Sequence, residues 1–401
     1  MEDLFAEQLK ALRAAALDRH LREISSSQGP EIEIDGRRLV NFSSNDYLGL
    51  ANDSRLRKAA IEAVNEFGVG AGASRLISGT QSPHVRLERA LAKWKGTEAS
   101  LCFSSGYAAA LGVIGALVSK NDVVLLDKLC HASLIDGAKL SGTILRVFPH
   151  SNLRKLESHL EWAGRVHPGR RVLMITESVF SMDGDRAPLR DLIELKKRFG
   201  ALLMLDEAHA VGVIGANGRG LAAEENASED VDVQMGTLSK ALGASGGYIC
   251  GLRNLIEWLI NRARSFIYST APPPAVAAAA LVAVDFLSSS EGEKWRLLLW
   301  ERINLLREFL RQLKIGRWNA AVQRSTPNEA SSAIFPLIVG GEQATLDLAA
   351  ALKSEGFLVP AIRYPTVAKG SARLRITVTA LHTEDQIRAL SEAIKRNSAS
   401  G

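Results

Sequence analysis

Six short apolar runs recur at 123–127, 145–148, 172–178, 202–206, 231–235 and 247–250, each about the length of one strand. Most are apolar at odd and even positions alike, so both faces of such strands must be covered. Helix-patterned stretches, 189–199 among them, separate the runs. This alternation predicts an α/β domain with a mostly parallel sheet layered between helices.

The rest of the chain reads differently. The first residues carry Leu4, Leu9, Leu12 and Leu17 among Glu2, Asp3 and Glu7, the pattern of an amphipathic helix. That pattern lacks a signal-peptide apolar core, so the mature chain is expected to begin near Met1. Segment 31–42 alternates about Asp35-Gly36 and predicts a small hairpin. After Ala275 come a long helical stretch (291–313), a strand (333–339), a helix (343–354), strands around 358–362 and 374–378, and a last helix (384–395). With 401 residues exceeding one core, the expected organisation is an arm (1–45), a large domain (46–285) and a smaller C-terminal α+β domain (286–401).

Composition narrows the functional classes. The net charge of +5 is spread without a Lys/Arg run, which argues against nucleic-acid binding. Cys102, Cys130 and Cys250 are odd in number and scattered, so neither a disulfide framework nor a metal site is expected, and a reducing cytoplasm fits. The apolar runs at 108–118 and 275–284 are too short for a bilayer core of about 30 Å, so no membrane span is expected.

In open α/β sheets ligands bind beyond the carboxyl ends of the strands. Four such ends are rich in polar residues: Asp127-Lys128 leading to His131, Glu177 leading to Ser181, Asp206-Glu207-Ala208-His209, and Thr237-Leu238-Ser239-Lys240. A carboxylate ending one strand and a lysine past the next suit pyridoxal phosphate: Lys240 to form a Schiff base, Asp206 to pair with the ring nitrogen. Thr237 can offer a hydroxyl to the phosphate. Gly106 and Tyr107, opening a helical stretch, can offer backbone N–H groups to it. His209 can reach the phenolic oxygen and His131 can stack on the ring. Each residue also has a plainer reading, Lys240 as a solvated loop lysine, Asp206 as a helix cap and the histidines as satisfied core residues. The Gly68–Gly72 stretch follows a helical segment rather than a strand, which removes the geometry of a dinucleotide loop.

The motifs 41–50 (Asn-Phe-Ser-Ser-Asn-Asp-Tyr-Leu-Gly-Leu), 105–107, 131–137, 179–185, 206–209, 236–240, 361–366 and 373–377 resemble, in order, the α-oxoamine synthases, class II pyridoxal-phosphate-dependent aminotransferase relatives. The likeness runs over about 17–383 and is strongest toward the biotin-pathway members. It implies a type I pyridoxal-phosphate aminotransferase-like fold and a homodimer with active sites at the subunit interface. It implies Lys240, His131 and Asp206 as catalytic residues. Gly106, Tyr107, Ser181, His209 and Thr237 become cofactor contacts, with Ser269 and Thr270 reaching the phosphate from the neighbouring subunit. Arg19, Asn45, Thr366 and Arg375 become substrate contacts, Arg375 for the amino-acid carboxylate and Arg19 for the acyl chain. The implied reaction is the decarboxylative condensation of L-alanine with a pimeloyl thioester, carried by coenzyme A or an acyl carrier protein. Glycine C-acetyltransferase and 5-aminolevulinate synthase are the rivals within the family, and a simple aminotransferase is a more distant one. Tyr364-Pro365-Thr366 is shared with the 5-aminolevulinate synthases, whereas Arg363 before it is more like the biotin-pathway enzymes.

Overall fold

The turn at Asp35-Gly36 closes a hairpin of β1 (Glu31–Ile34) and β2 (Arg37–Asn41), paired antiparallel with Ile34 opposite Arg37. Both turn residues take positive φ (53° and 68°), the two-residue geometry that matches strand twist and that Asp-Gly adopts readily. The structure, a computed structural model, describes residues 2–312 and 332–399.

The apolar runs become one seven-stranded sheet: β3 (Ala99–Phe103), β4 (Val123–Asp127), β5 (Ile144–Phe148), β6 (Val172–Glu177), β7 (Leu202–Asp206), β8 (Val233–Thr237) and β9 (Gly247–Gly251), in the order β3-β9-β8-β7-β6-β4-β5. The pairs linking β4 to β8 are parallel, and β9 runs antiparallel to both β3 and β8. Alternate residues feed two cores. Val124, Leu126, Leu173, Ile175 and Met204 enter one, with helix Gly106–Leu117. Val123, Leu125, Met174, Leu203 and Leu205 enter the other, with helices Leu153–Val166 and Leu189–Phe199. That division is the cause of apolar character on both faces.

Two elements depart from the sequence-based expectation. β3 was not anticipated, because Ser100 interrupts its apolar run; the serine is buried and its hydroxyl donates to the Glu88 carbonyl at 2.7 Å. β8 starts at Val233 rather than Val231; Val231 is buried in the second core without joining the ladder.

Toward the C-terminus β10 (Ile334–Gly340) pairs antiparallel with β13 (Ala372–Thr377). The strand region expected around 358–362 is divided between two sheets. β11 (Phe357–Leu358) lies parallel to β2, while β12 (Ala361–Ile362) lies antiparallel to β13. Pro360, between them, has no N–H to continue a ladder and accepts through its carbonyl from Arg375 N at 3.1 Å. The long helix covers Ser290–Gln312; its expected last residue, Leu313, lies outside the described residues.

The described residues of Met1–Gly49, Met182–Gly184 and Leu297–Gly401 form one compact unit, and Leu50–Ser181 with Asp185–Arg296 the other. These divisions differ from the expected limits at 45 and 285. The N-terminal hairpin groups with the C-terminal residues because β11 completes its sheet. Met182–Gly184 join them because Ser332 Oγ donates to the Gly184 carbonyl (2.7 Å) and Arg373 to Asp183 (2.7 Å).

Candidate active site

In a parallel ladder, residues in register point to the same side of the sheet. Glu177, Asp206 and Met235 are in register across β6, β7 and β8 at their carboxyl ends, and all three line one cavity of about 240 Å³. That volume is roughly eight times the ~30 Å³ of a liquid water molecule. Lys240, in the turn after β8, places Nζ 2.7 Å from His209 Nε2 in the same cavity.

The far lining is built for an anion. Ser105 caps helix Gly106–Leu117, its hydroxyl accepting from Ala108 N at 3.0 Å, so the first turn of that helix faces the cavity with Gly106 and Tyr107. A helix start presents N–H groups and positive partial charge. The Tyr107 hydroxyl donates to Asp136 (2.6 Å), which leaves its backbone for this role. Thr237 Oγ1 is 2.7 Å from Ser239 Oγ, and both hydroxyls line the cavity. Gly247 makes the arrangement possible: a Cβ there would come within 2.6 Å of Gly106 Cα and Ser105 O.

Behind Asp206 lies a buried ion pair between Lys95 and Glu207, each 1% exposed or less. Glu207 also accepts from Ala222 N at 3.0 Å, and Lys95 donates to the Arg219 carbonyl. The segment carrying Asp206 and His209 is thereby held from behind.

Burial pushes the Asp206 carboxyl up from its usual range, while Lys240 and the Ala208 N–H, 2.9 Å from Oδ1, pull it back. Glu177 is pushed up to about 8, first by burial and then by the charge of Asp206. His131 opens the next helix, Ala132–Leu140, with Nδ1 accepting from Ser133 N at 3.2 Å. That donor places the ring proton on Nε2. Desolvation outweighs the attraction of Asp206 and holds the His131 imidazole below its usual pKa.

The cavity thus gathers Lys240, Asp206, His209, His131, Thr237, Gly106 and Tyr107. Three expected cofactor contacts are not in its lining. Ser181 is buried, and its backbone N–H reaches the Glu177 carboxyl. Ser269 is half-buried and Thr270 exposed, on a segment bridged to Ser74. Sequence reasoning missed Glu177, Ser133 and Ser239 as lining residues. Glu177 could have been found from its place at the last position of an apolar run beside the run that ends in Asp206.

The other unit holds the remaining candidates. Arg375, 4% exposed on β13, donates to Asn45 Oδ1 at 3.1 Å and hydrogen-bonds the buried Tyr47 phenol. Arg19 and Thr366 are both exposed and lie 3.5 Å apart. Arg363 sets that proximity by donating to the Ala16 and Asp18 carbonyls, which anchors the segment before Arg19. Among the described residues, no group of three or more His, Cys, Asp or Glu side chains is arranged to hold a metal ion. No single described helix is long and apolar enough to cross a membrane.

A mostly parallel sheet with a lysine and a carboxylate at its strand ends defines a class, and comparison with known proteins agrees. The family model for aminotransferase class I and II matches residues 37–394, and the chain belongs to that family. Within it, relatives named 8-amino-7-oxononanoate synthase match nearly the whole chain. That of Geobacter sulfurreducens is 45% identical over 392 residues, 98% of this chain and 97% of the relative. That of Anaeromyxobacter dehalogenans is 46% identical over 386 residues, covering 96% and 93%. Among solved structures, a serine palmitoyltransferase from S. paucimobilis with a bound PLP–myriocin aldimine superposes with a TM-score of 0.91 at 29% identity, covering 99% of this chain and 97% of the other. The 8-amino-7-oxononanoate synthase of Francisella tularensis does so with a TM-score of 0.75 at 28% identity, covering 90% and 98%. The fold is therefore the type I pyridoxal-phosphate aminotransferase fold.

Proposed function

We propose that the chain is an 8-amino-7-oxononanoate synthase, which joins L-alanine to a pimeloyl thioester with loss of CO2 and release of the thiol, a step of biotin biosynthesis. The observation that carries this reading is the convergence of Lys240, Asp206 and His209 in one cavity whose opposite lining is a helix start. Relatives of that name spanning nearly the full chain support it.

The residues present fit pyridoxal phosphate. Asp206 is a buried carboxylate whose desolvation a cationic ring nitrogen would offset, and the helix start with the Thr237 and Ser239 hydroxyls suits a phosphate. When bound, the cofactor supplies an aldehyde for an amine and an electron sink for the carbanion formed at Cα. Lys240 Nζ would be the amine for that aldehyde and, when free, would be the base placed to move a proton at substrate Cα. Hydrogen bonding to His209 Nε2 holds Nζ at one point of the cavity. Asp206 would pair with the positive ring nitrogen, and the His131 ring would be available to stack on the cofactor. Arg375, steadied by Asn45 and Tyr47, is a guanidinium suited to a substrate carboxylate, and Thr366 and Arg19 are candidate contacts for the acyl substrate.

By the family resemblance Ser269 and Thr270 would contact the phosphate of a second copy in a homodimer. The three cysteines are buried free thiols, consistent with the cytoplasm. The test is a panel of thiol-release assays crossing L-alanine and glycine with pimeloyl, acetyl, succinyl and palmitoyl thioesters. L-alanine with the pimeloyl thioester is expected to give the highest kcat/KM, and a glycine pairing in that place would overturn the substrate assignment.

A further inference from the structure

Glu177 has no part in the steps above, yet it is 2% exposed and lines the same cavity. Its carboxyl accepts the backbone N–H of His131, through Oε1, and the backbone N–H of Ser181. These two residues begin and end quite different segments. His131 caps helix Ala132–Leu140, and Ser181 lies four positions beyond β6. We propose that Glu177 is a positioning residue, whose carboxyl ties the backbones of His131 and Ser181 to the end of β6 and so fixes where the His131 ring stands in the cavity. The inference rests on the pyridoxal-phosphate reading of the cavity.

The surroundings of Glu177 select its protonation state. Asp206 stands beside it in register on β7. Lys240 approaches from the turn after β8, and the Cys130 thiol from the segment before His131, itself pushed up by burial and then by the Glu177 charge. Burial and the charge of Asp206 both push the Glu177 carboxyl up, which favours a single negative charge on the pair. Raising the pH favours ionisation of Glu177, which sets a second negative charge against Asp206. A glutamine keeps the accepting oxygen and cannot ionise.

The test compares the wild-type holoenzyme with the Glu177→Gln and Glu177→Ala variants by cofactor absorbance, pyridoxal phosphate affinity and kcat between pH 6 and 9.5. Wild-type protein is loaded with pyridoxal phosphate first. Failure to load would overturn the cofactor reading itself, whereas normal loading leaves the variants to decide the role of Glu177. Glu177→Ala should lose cofactor affinity about 10- to 100-fold, the effect of two hydrogen bonds, and Glu177→Gln should recover most of it. The wild-type spectrum and kcat should change through a transition on raising the pH that Glu177→Gln lacks. Should Glu177→Ala not fold, Glu177→Leu takes its place in the affinity comparison. Glu177→Ala within threefold of wild type, Glu177→Gln as impaired as Glu177→Ala, or an unaltered transition in Glu177→Gln would each overturn the proposal.

Discussion

Asp206 sits at the end of a strand whose other residues are apolar, 5% exposed, in a place where an unpaired charge is costly. The substitution Asp206→Asn keeps the shape and removes the charge proposed to meet the cofactor nitrogen. Breaking such a buried pair typically costs about 3–5 kcal/mol. Falling on the chemical step, that loss lowers kcat by roughly 10² to 10⁴, as steady-state thiol release would show. A variant within threefold of wild type would contradict the role. Arg19 stands in a different setting. It is exposed and its contact with Thr366 is long, so Arg19→Ala should raise KM for the thioester several-fold, about 1 kcal/mol, with little change in kcat. At this scale the residues legible in the sequence were those that end an apolar run or follow it within a short polar cluster, as Asp206, His209 and Lys240 do. The Glu177 carboxyl and the Ser239 hydroxyl were not legible as parts of the cavity, because their places follow from strand register and hydroxyl pairing, which spacing does not encode.

Elements show the same split between what composition reveals and what contacts decide. β4 and β7 and the helix Leu189–Phe199 fall at the boundaries the periodicity suggested, since continuous apolar runs and a one-sided helical stripe each have one stable outcome. β3 was hidden by a single buried serine, and the 358–362 strand was split by a proline. Each unit carries a local device that can be tested. Lys95→Met leaves Glu207 as an uncompensated buried carboxylate, and urea unfolding of the apoprotein should show a loss of about 3–5 kcal/mol, partly restored by adding Glu207→Leu. The stacked pair of His382 and Phe42, with centroids 4.3 Å apart, gives a pH dependence. Burial lowers the His382 pKa from 6.5 to about 4, so the folded state prefers the neutral ring. The unfolded chain then binds the extra proton first. Stability is full above pH 6.5 and falls as the pH drops toward 4, by up to about 3 kcal/mol from this group. Thermal unfolding across that range should show a shallower acid limb in His382→Phe.

For the whole molecule, the parallel sheet was legible from the first apolar runs, and the division into compact units was only partly so. The run of residues from Met182 to Gly184 joins the unit of the chain termini through contacts such as Arg373 to Asp183, which no local pattern signals. A ligand that binds only the folded state stabilises it by mass action, about 2.7 kcal/mol at a hundredfold excess over Kd. Pyridoxal phosphate at that excess should raise the Tm of the cavity-bearing unit by roughly 5–11 °C, and Thr237→Val, which removes one hydroxyl from the phosphate end, should reduce the shift.

The central claim is that this cavity holds pyridoxal phosphate on Lys240. It is tested most directly by incubating the protein with the cofactor, reducing with borohydride, and locating the modified residue by peptide mass. The account predicts one phosphopyridoxyl group per chain, on the peptide containing Lys240, and none in Lys240→Ala. Modification centred on another lysine, or retained in that variant, would contradict it.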